Sequence, residues 1–259
     1  MTGPSMNPPT EPQANPSPVA VSGAEQVPGG TAVTPAPSTP AYSRAEQVAD
    51  AAVHCVGVAL GLMAVPVMIV LAALLDGTGP VIAGVSVYAA GLLLMLGCSA
   101  AYHLLTPVRP AWRELLRRFD HAAIYLKIAA TQTPFAVLIG GAGAAWLLGS
   151  VWVAALGGAA LRIFWPHGFR RLAVPFYLAL GWAGMALFWP GAGDAALGLA
   201  TVILVIVGGL LYTLGVGFLL AEKLRFHNAI WHGFVLVATF VFYAAVLSEM
   251  GLRAVAAPV

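Results

Sequence analysis

Within FHNAIWHGF, residues 226–234, two imidazoles stand five positions apart, at His227 and His232. Two more groups of metal-ligand type occur earlier, His103 in CSAAYHLL and Asp120 in RRFDHAAIYL. Imidazole nitrogen and carboxylate oxygen are both donors that zinc accepts. Helical ligand pairs normally stand three or four residues apart, because those positions share a face. At roughly 100° per residue, four steps return to within about 40° of the starting face, whereas five leave two side chains about 140° apart. A regular helix therefore cannot aim both His227 and His232 at one ion. Ser99 stands four before His103, on the same face. Its hydroxyl either orients the imidazole or a water, or bonds back to the carbonyl four residues earlier.

The elements that must position these groups follow from composition. Sixty per cent of the 259 residues are hydrophobic, 8% are charged, and the mean hydropathy is +0.87. Soluble domains carry about a quarter charged residues, so this chain belongs in a bilayer. A spanning helix needs about 20 mostly apolar residues. Seven such segments are predicted, near 51–75, 80–105, 119–140, 143–165, 172–191, 195–221 and 228–248. They define an all-α, polytopic seven-helix bundle over 44–259. Residues 1–43 are rich in Pro, Ala, Ser and Thr with no Lys or Arg. Such a segment buries too little surface to offset its ordering entropy and is expected to be a disordered cytoplasmic tail. Cys55 and Cys98 both fall in apolar runs and read as small buried hydrophobes rather than a disulfide or thiolate ligands.

Loop charge sets the orientation. Arg109, Arg113, Arg117 and Arg118 lie in 106–118, Arg162, Arg170 and Arg171 around 162–171, and Lys223 and Arg225 in 222–227. The intervening loops at 76–79, 140–143 and 190–194 hold no Lys or Arg. The positive-inside rule places the amino terminus in the cytoplasm and the carboxyl terminus outside, with Arg253 a lone exception. That order is the reverse of a G-protein-coupled receptor. His103, Asp120, His227 and His232 then share one depth, near the cytoplasmic face, on three helices. Ionisable groups inside a membrane mark functional sites by default.

Ser99-x-x-x-His103, Asp120-His121 and Trp231-His232 together resemble the hemolysin III family, the bacterial branch of the progestin and adipoQ receptors that includes the adiponectin receptors. FDHAAIYLKIAATQTPF, YLALGW, NAIWHGFVLVA and EQVADAAVHCVGVALGL carry the same likeness, which runs from about Glu46 to Val246. The resemblance implies a seven-helix fold with Zn2+ near the cytoplasmic face. By that likeness His103 and His232 are ligands, and Asp120 holds a water beside the metal. The third ligand of the family's H-x-x-x-H motif falls on Asn228, whose amide is a poor zinc donor beside imidazole. Either His227 turns back from the helix cap, or Asn228 fills the place, or His121 or His54 at similar depth supplies the nitrogen.

Two functions follow as expectations. In the first, zinc makes hydroxide available and Asp120 acts as general base, with Ser99 helping to hold the water. The protein is then a hydrolase of a lipid amide, as the family's likeness to alkaline ceramidases implies. In the second, zinc staples the helices of a non-catalytic sensor of lipid or membrane order. A pore is the least supported, because a single polar cluster does not line a channel. Membrane lipid is the expected substrate or ligand, nucleic acid is not expected as a partner, and the expected location is the bacterial inner membrane. Lys127 lies on nearly the same face as Asp120 and suggests an interior role beside it. Gly157, Gly158, Gly208 and Gly209 permit close helix packing, within one chain or between chains.

Overall fold

The computed structural model describes Gly3 and residues 43–189 and 191–256. Apart from Gly3 and Ser43, the expected tail lies outside the described residues. Seven helices are long and apolar enough to cross a membrane. They are α1 (Arg44–Leu75), α2 (Gly79–Leu105), α3 (Arg113–Ile139), α4 (Gly141–Phe164), α5 (Arg170–Ala183), α6 (Leu199–Leu220) and α7 (His227–Ala256). No strand occurs among the described residues.

Several helices begin earlier than apolarity alone predicts. The span expected at 51 starts at Arg44 because Ser43 and Glu46 form a reciprocal cap: the Ser43 side chain accepts the Glu46 N–H at 3.3 Å, and the Glu46 carboxylate accepts the Ser43 N–H at 2.9 Å. That extra helix carries Asp50 into the bundle, where it is buried. The span expected at 119 starts at Arg113, after a short 3-10 turn at Pro110–Trp112. α7 runs on to Ala256 rather than ending at 248.

Between α3 and α4 the chain turns on Gly140 alone, with Gly140 and Gly141 at φ 71° and 79°. Residues with a Cβ rarely adopt that left-handed backbone. α5 tightens into a 3-10 segment, Gly184–Phe188, and α6 starts later than the predicted 195. Backbone groups before α6 bond to neighbouring helices: the Ala195 N–H donates to Ile139 O of α3 at 3.0 Å and the Gly198 N–H to Glu249 of α7 at 2.9 Å.

α3 is the central helix, packed against α2 on one side and α4 on the other. At Gly91 of α2, a Cβ would sit 2.4 Å from the Ala130 Cβ of α3, so the two backbones meet because the glycine has no side chain. Gly158 and Gly208 likewise admit Tyr125, Phe176 and Phe242 from neighbouring helices, so these two serve packing within the chain. Gly157 faces no described atom within 4 Å of a Cβ.

Lys127 is 3% exposed and therefore does not reach the membrane surface. Its Nζ donates to Thr131 Oγ1 at 2.7 Å and lies 4.2 Å from the centre of the Tyr88 ring. The side chain thus turns along the helix away from Asp120 and does not partner it. Burying a charged group without an opposite charge is costly, and an apolar side chain of similar volume avoids that cost. The Lys127→Met protein is expected to melt above the wild type in the same detergent. Melting below it would show that the hydroxyl and ring contacts outweigh the cost of burying the amine.

Candidate metal centre

α1, α2 and α7 bring four donors together: Asp50 and His54 from α1, His103 from α2 and His232 from α7, with one ligand atom of each within 4.8 Å of all the others. Asp50 is the hub. Its Oδ2 lies 2.6 Å from His103 Nδ1, and its Oδ1 lies 3.1 Å from His232 Nδ1 and 3.7 Å from His54 Nε2. The imidazoles pack on one another, with ring centres 4.4–4.6 Å apart in all three pairs. Side-chain exposure runs from 5% at His54 to 14% at His103, so the group is nearly closed to solvent.

Local sequence explains the assembly. Asp50 and His54 are four apart on α1 and share a face. Their helix is tied to the start of α7 by Glu46, whose Oε1 accepts the Phe226 N–H at 3.0 Å. Phe226 has φ 61°, a conformation unusual for a bulky residue, and it turns the chain into α7 immediately after that bond. The turn sets the register of α7. Asn228, four before His232, falls on the site's face and donates its Nδ2 to Asp50 Oδ1 at 2.9 Å, while lying 3.4 Å from His103 Nδ1. It holds the carboxylate from outside the donor set.

The five-residue spacing has the outcome that helix geometry requires. His227 is not in the group; its Nδ1 lies 3.1 Å from Leu224 O, in the turn that precedes α7. The third imidazole comes from His54, one of the residues left open by the sequence. His121 is engaged elsewhere, against the Arg162 guanidinium of α4. Asp120 is buried on α3 but is not one of the four, and Ser99 is buried one turn before His103. An acid beside the imidazoles is Asp50, which sequence reasoning left out because the first span was begun at 51 rather than at Arg44. The available signal was the Asp50-x-x-x-His54 spacing, the same interval as Ser99-x-x-x-His103.

Whether these residues fit a metal can be judged from His54. Its Nε2 is buried, faces the group and has no hydrogen-bond partner among the described residues. A buried polar atom left unpaired is costly, and a cation among the donors satisfies it. Three imidazoles and one carboxylate are also a donor set that zinc accepts. The residues fit.

The model of the family described as "Haemolysin-III related" matches residues 42–243. Two curated relatives align over most of their length. The chain is 35% identical over 205 residues to a "Hemolysin-3 homolog" of Bacillus subtilis (strain 168), covering 78% of this chain and 93% of that protein. It is 32% identical over 209 residues to a "Hemolysin-3" of Bacillus cereus, covering 78% and 90%.

Proposed function

We propose that this chain, which belongs to the haemolysin-III family and is a multi-pass membrane protein, closes a zinc ion between three of its helices and acts without catalysis, as a membrane protein responsive to lipid. The observation that carries this reading is the completeness of the donor set. His54, His103, His232 and Asp50 are four donors, and zinc sites with four protein ligands are structural, whereas catalytic ones keep a position open for water. Near-closure to solvent favours the same reading. When bound, zinc supplies a cross-link between α1, α2 and α7 at the end of the bundle that carries the basic loops.

A second reading rests on one observation. Asp50 is held by Asn228 beside three imidazoles. A carboxylate that holds a water there leaves three nitrogens as ligands, and Asp50 then takes the role of general base in the hydrolysis of a lipid amide.

One set of measurements separates the two. Purified protein is expected to carry zinc near one equivalent, to lose melting temperature on chelation, and to leave a ceramide-like amide intact. Turnover that disappears in the Asp50→Asn protein would establish the hydrolase and end the closed-centre reading. Absence of zinc at any fraction of an equivalent would end both. The Asn228→Ala protein is expected to fold and to bind zinc about ten-fold more weakly, as when an outer partner of a ligand is removed. Unchanged affinity, by competition with a chromogenic chelator, would remove Asn228 from that role.

A further inference from the structure

We infer that the lipid-facing groove between α2 and α3 is a docking site for an anionic phospholipid of the leaflet next to the basic loops. One acyl chain lies along the groove and the phosphate rests on Arg113. The groove has a volume of about 330 Å³ and is lined by Leu93, Gly97, Cys98 and Ala101 of α2 and by Leu116 and Phe119 of α3. Its floor exists because α2 carries small residues there: a Cβ at Gly97 meets no heavy atom within 4 Å. The walls are apolar, so nothing in the groove satisfies a polar ligand, and a hydrocarbon chain matches it.

Direction and charge identify which lipid. From Ala101 to Leu93 the groove follows α2 for roughly 12 Å, along the helix and hence in the sense that acyl chains run. Its mouth is at the start of α3. Arg113 stands one turn before Leu116, on the same side of the helix, and is exposed. Arg117 and Arg118 of the same turn are both held by Glu114, at 2.8 and 3.3 Å. Arg113 has no acidic partner and no side-chain hydrogen bond among the described residues. A guanidinium left unpaired at the headgroup end of an apolar groove complements a phosphate, which it binds through a planar fork. Phosphatidylcholine also has a phosphate, but its attached cation cancels the charge that Arg113 attracts. The groove does not include any of the four donors of the metal centre, and the inference holds whether or not that centre binds zinc.

The test uses full-length protein in detergent, equilibrated with equal amounts of phosphatidylglycerol and phosphatidylcholine, and counts retained lipid by native mass spectrometry. The wild type is expected to retain phosphatidylglycerol about five-fold over phosphatidylcholine, the preference that one basic group near the surface confers. Arg113→Gln should bring that preference close to unity. Gly97→Leu should remove the retained lipid of both kinds, because its Cβ enters open space and the rest of the side chain occupies the groove. An unchanged melting temperature checks that each variant is folded. Equal retention of the two lipids by the wild type would overturn the inference. Loss of preference in Arg113→Gln with full retention in Gly97→Leu would also overturn it, since the lipid would then be held by headgroup charge alone. Displacement of the lipid by inorganic phosphate would show a free-anion site and refute the acyl-chain contact.

Discussion

The Asp50→Asn protein is expected to bind zinc at least 100-fold more weakly than the wild type, beyond what loss of an outer partner costs a metal site. Asn keeps the size of the side chain and one oxygen for the Asn228 amide, so the change isolates the charge. Asp50 lies within 2.6–3.7 Å of all three imidazoles and is the one anion in the donor set. A ligand that binds only the folded state at 1,000 times its dissociation constant stabilises it by about 4 kcal/mol. Chelation should therefore lower the melting temperature of the wild type by several degrees and that of Asp50→Asn by at most about a third as much, since a site 100-fold weaker contributes about 1.4 kcal/mol at the same zinc concentration. The comparison of each protein with and without chelator removes any effect of the substitution on the bundle itself. Equal responses in the two proteins would show that Asp50 does not hold the ion.

At the opposite end of the bundle, Glu249→Ala should cost about 1.5–3 kcal/mol, the range for losing a hydrogen bond to a charged group, because the partner Arg253 is 30% exposed. Glu249 is 2% exposed. Its Oε1 accepts Arg253 Nε at 2.8 Å, its Oε2 accepts the Gly198 N–H at 2.9 Å, and Arg253 Nη1 donates to Leu138 O at 2.6 Å. One carboxylate thus joins α7 to the start of α6 and, through Arg253, to the end of α3. Its removal leaves a backbone N–H unpaired and a guanidinium without its anion. Glu249→Gln keeps an oxygen for Gly198 and should cost less. Zinc content should be unchanged in both, because the centre lies at the other end. Melting curves and metal analysis of the same samples check this. A Glu249→Ala protein that melts with the wild type would mean that the network contributes nothing to stability.

The same network explains the one charge that disagreed with the loop pattern. Arg253 appeared as a basic residue on the side where loops carry none, and it is neutralised in place by Glu249 one turn earlier. The expected orientation rests on the short loops alone, whose charges act without reference to tertiary structure. The seven helices were legible for a related reason. A backbone in lipid must bond to itself, so apolar runs of sufficient length become helices whatever surrounds them. Their ends were less so, since Ser43 and Glu46 lengthen α1 by a cap that an apolar window does not register.

By itself the chain determined that seven helices form, that His103 and His232 come to the same depth, and that a regular helix cannot aim both His227 and His232 at one ion. These follow from the helix's rise and its 100° step, which are local properties. Which helices touch is a matter of packing, and packing decided the rest. α1 meets both α2 and α7, so His54 and Asp50 join His103 and His232 in one group. The bond from Glu46 to Phe226 sets the register of α7 and brings Asn228, rather than His227, to the carboxylate. Contacts between residues nearly two hundred positions apart leave no mark in the local spacing of either partner, and only the folded bundle brings them together.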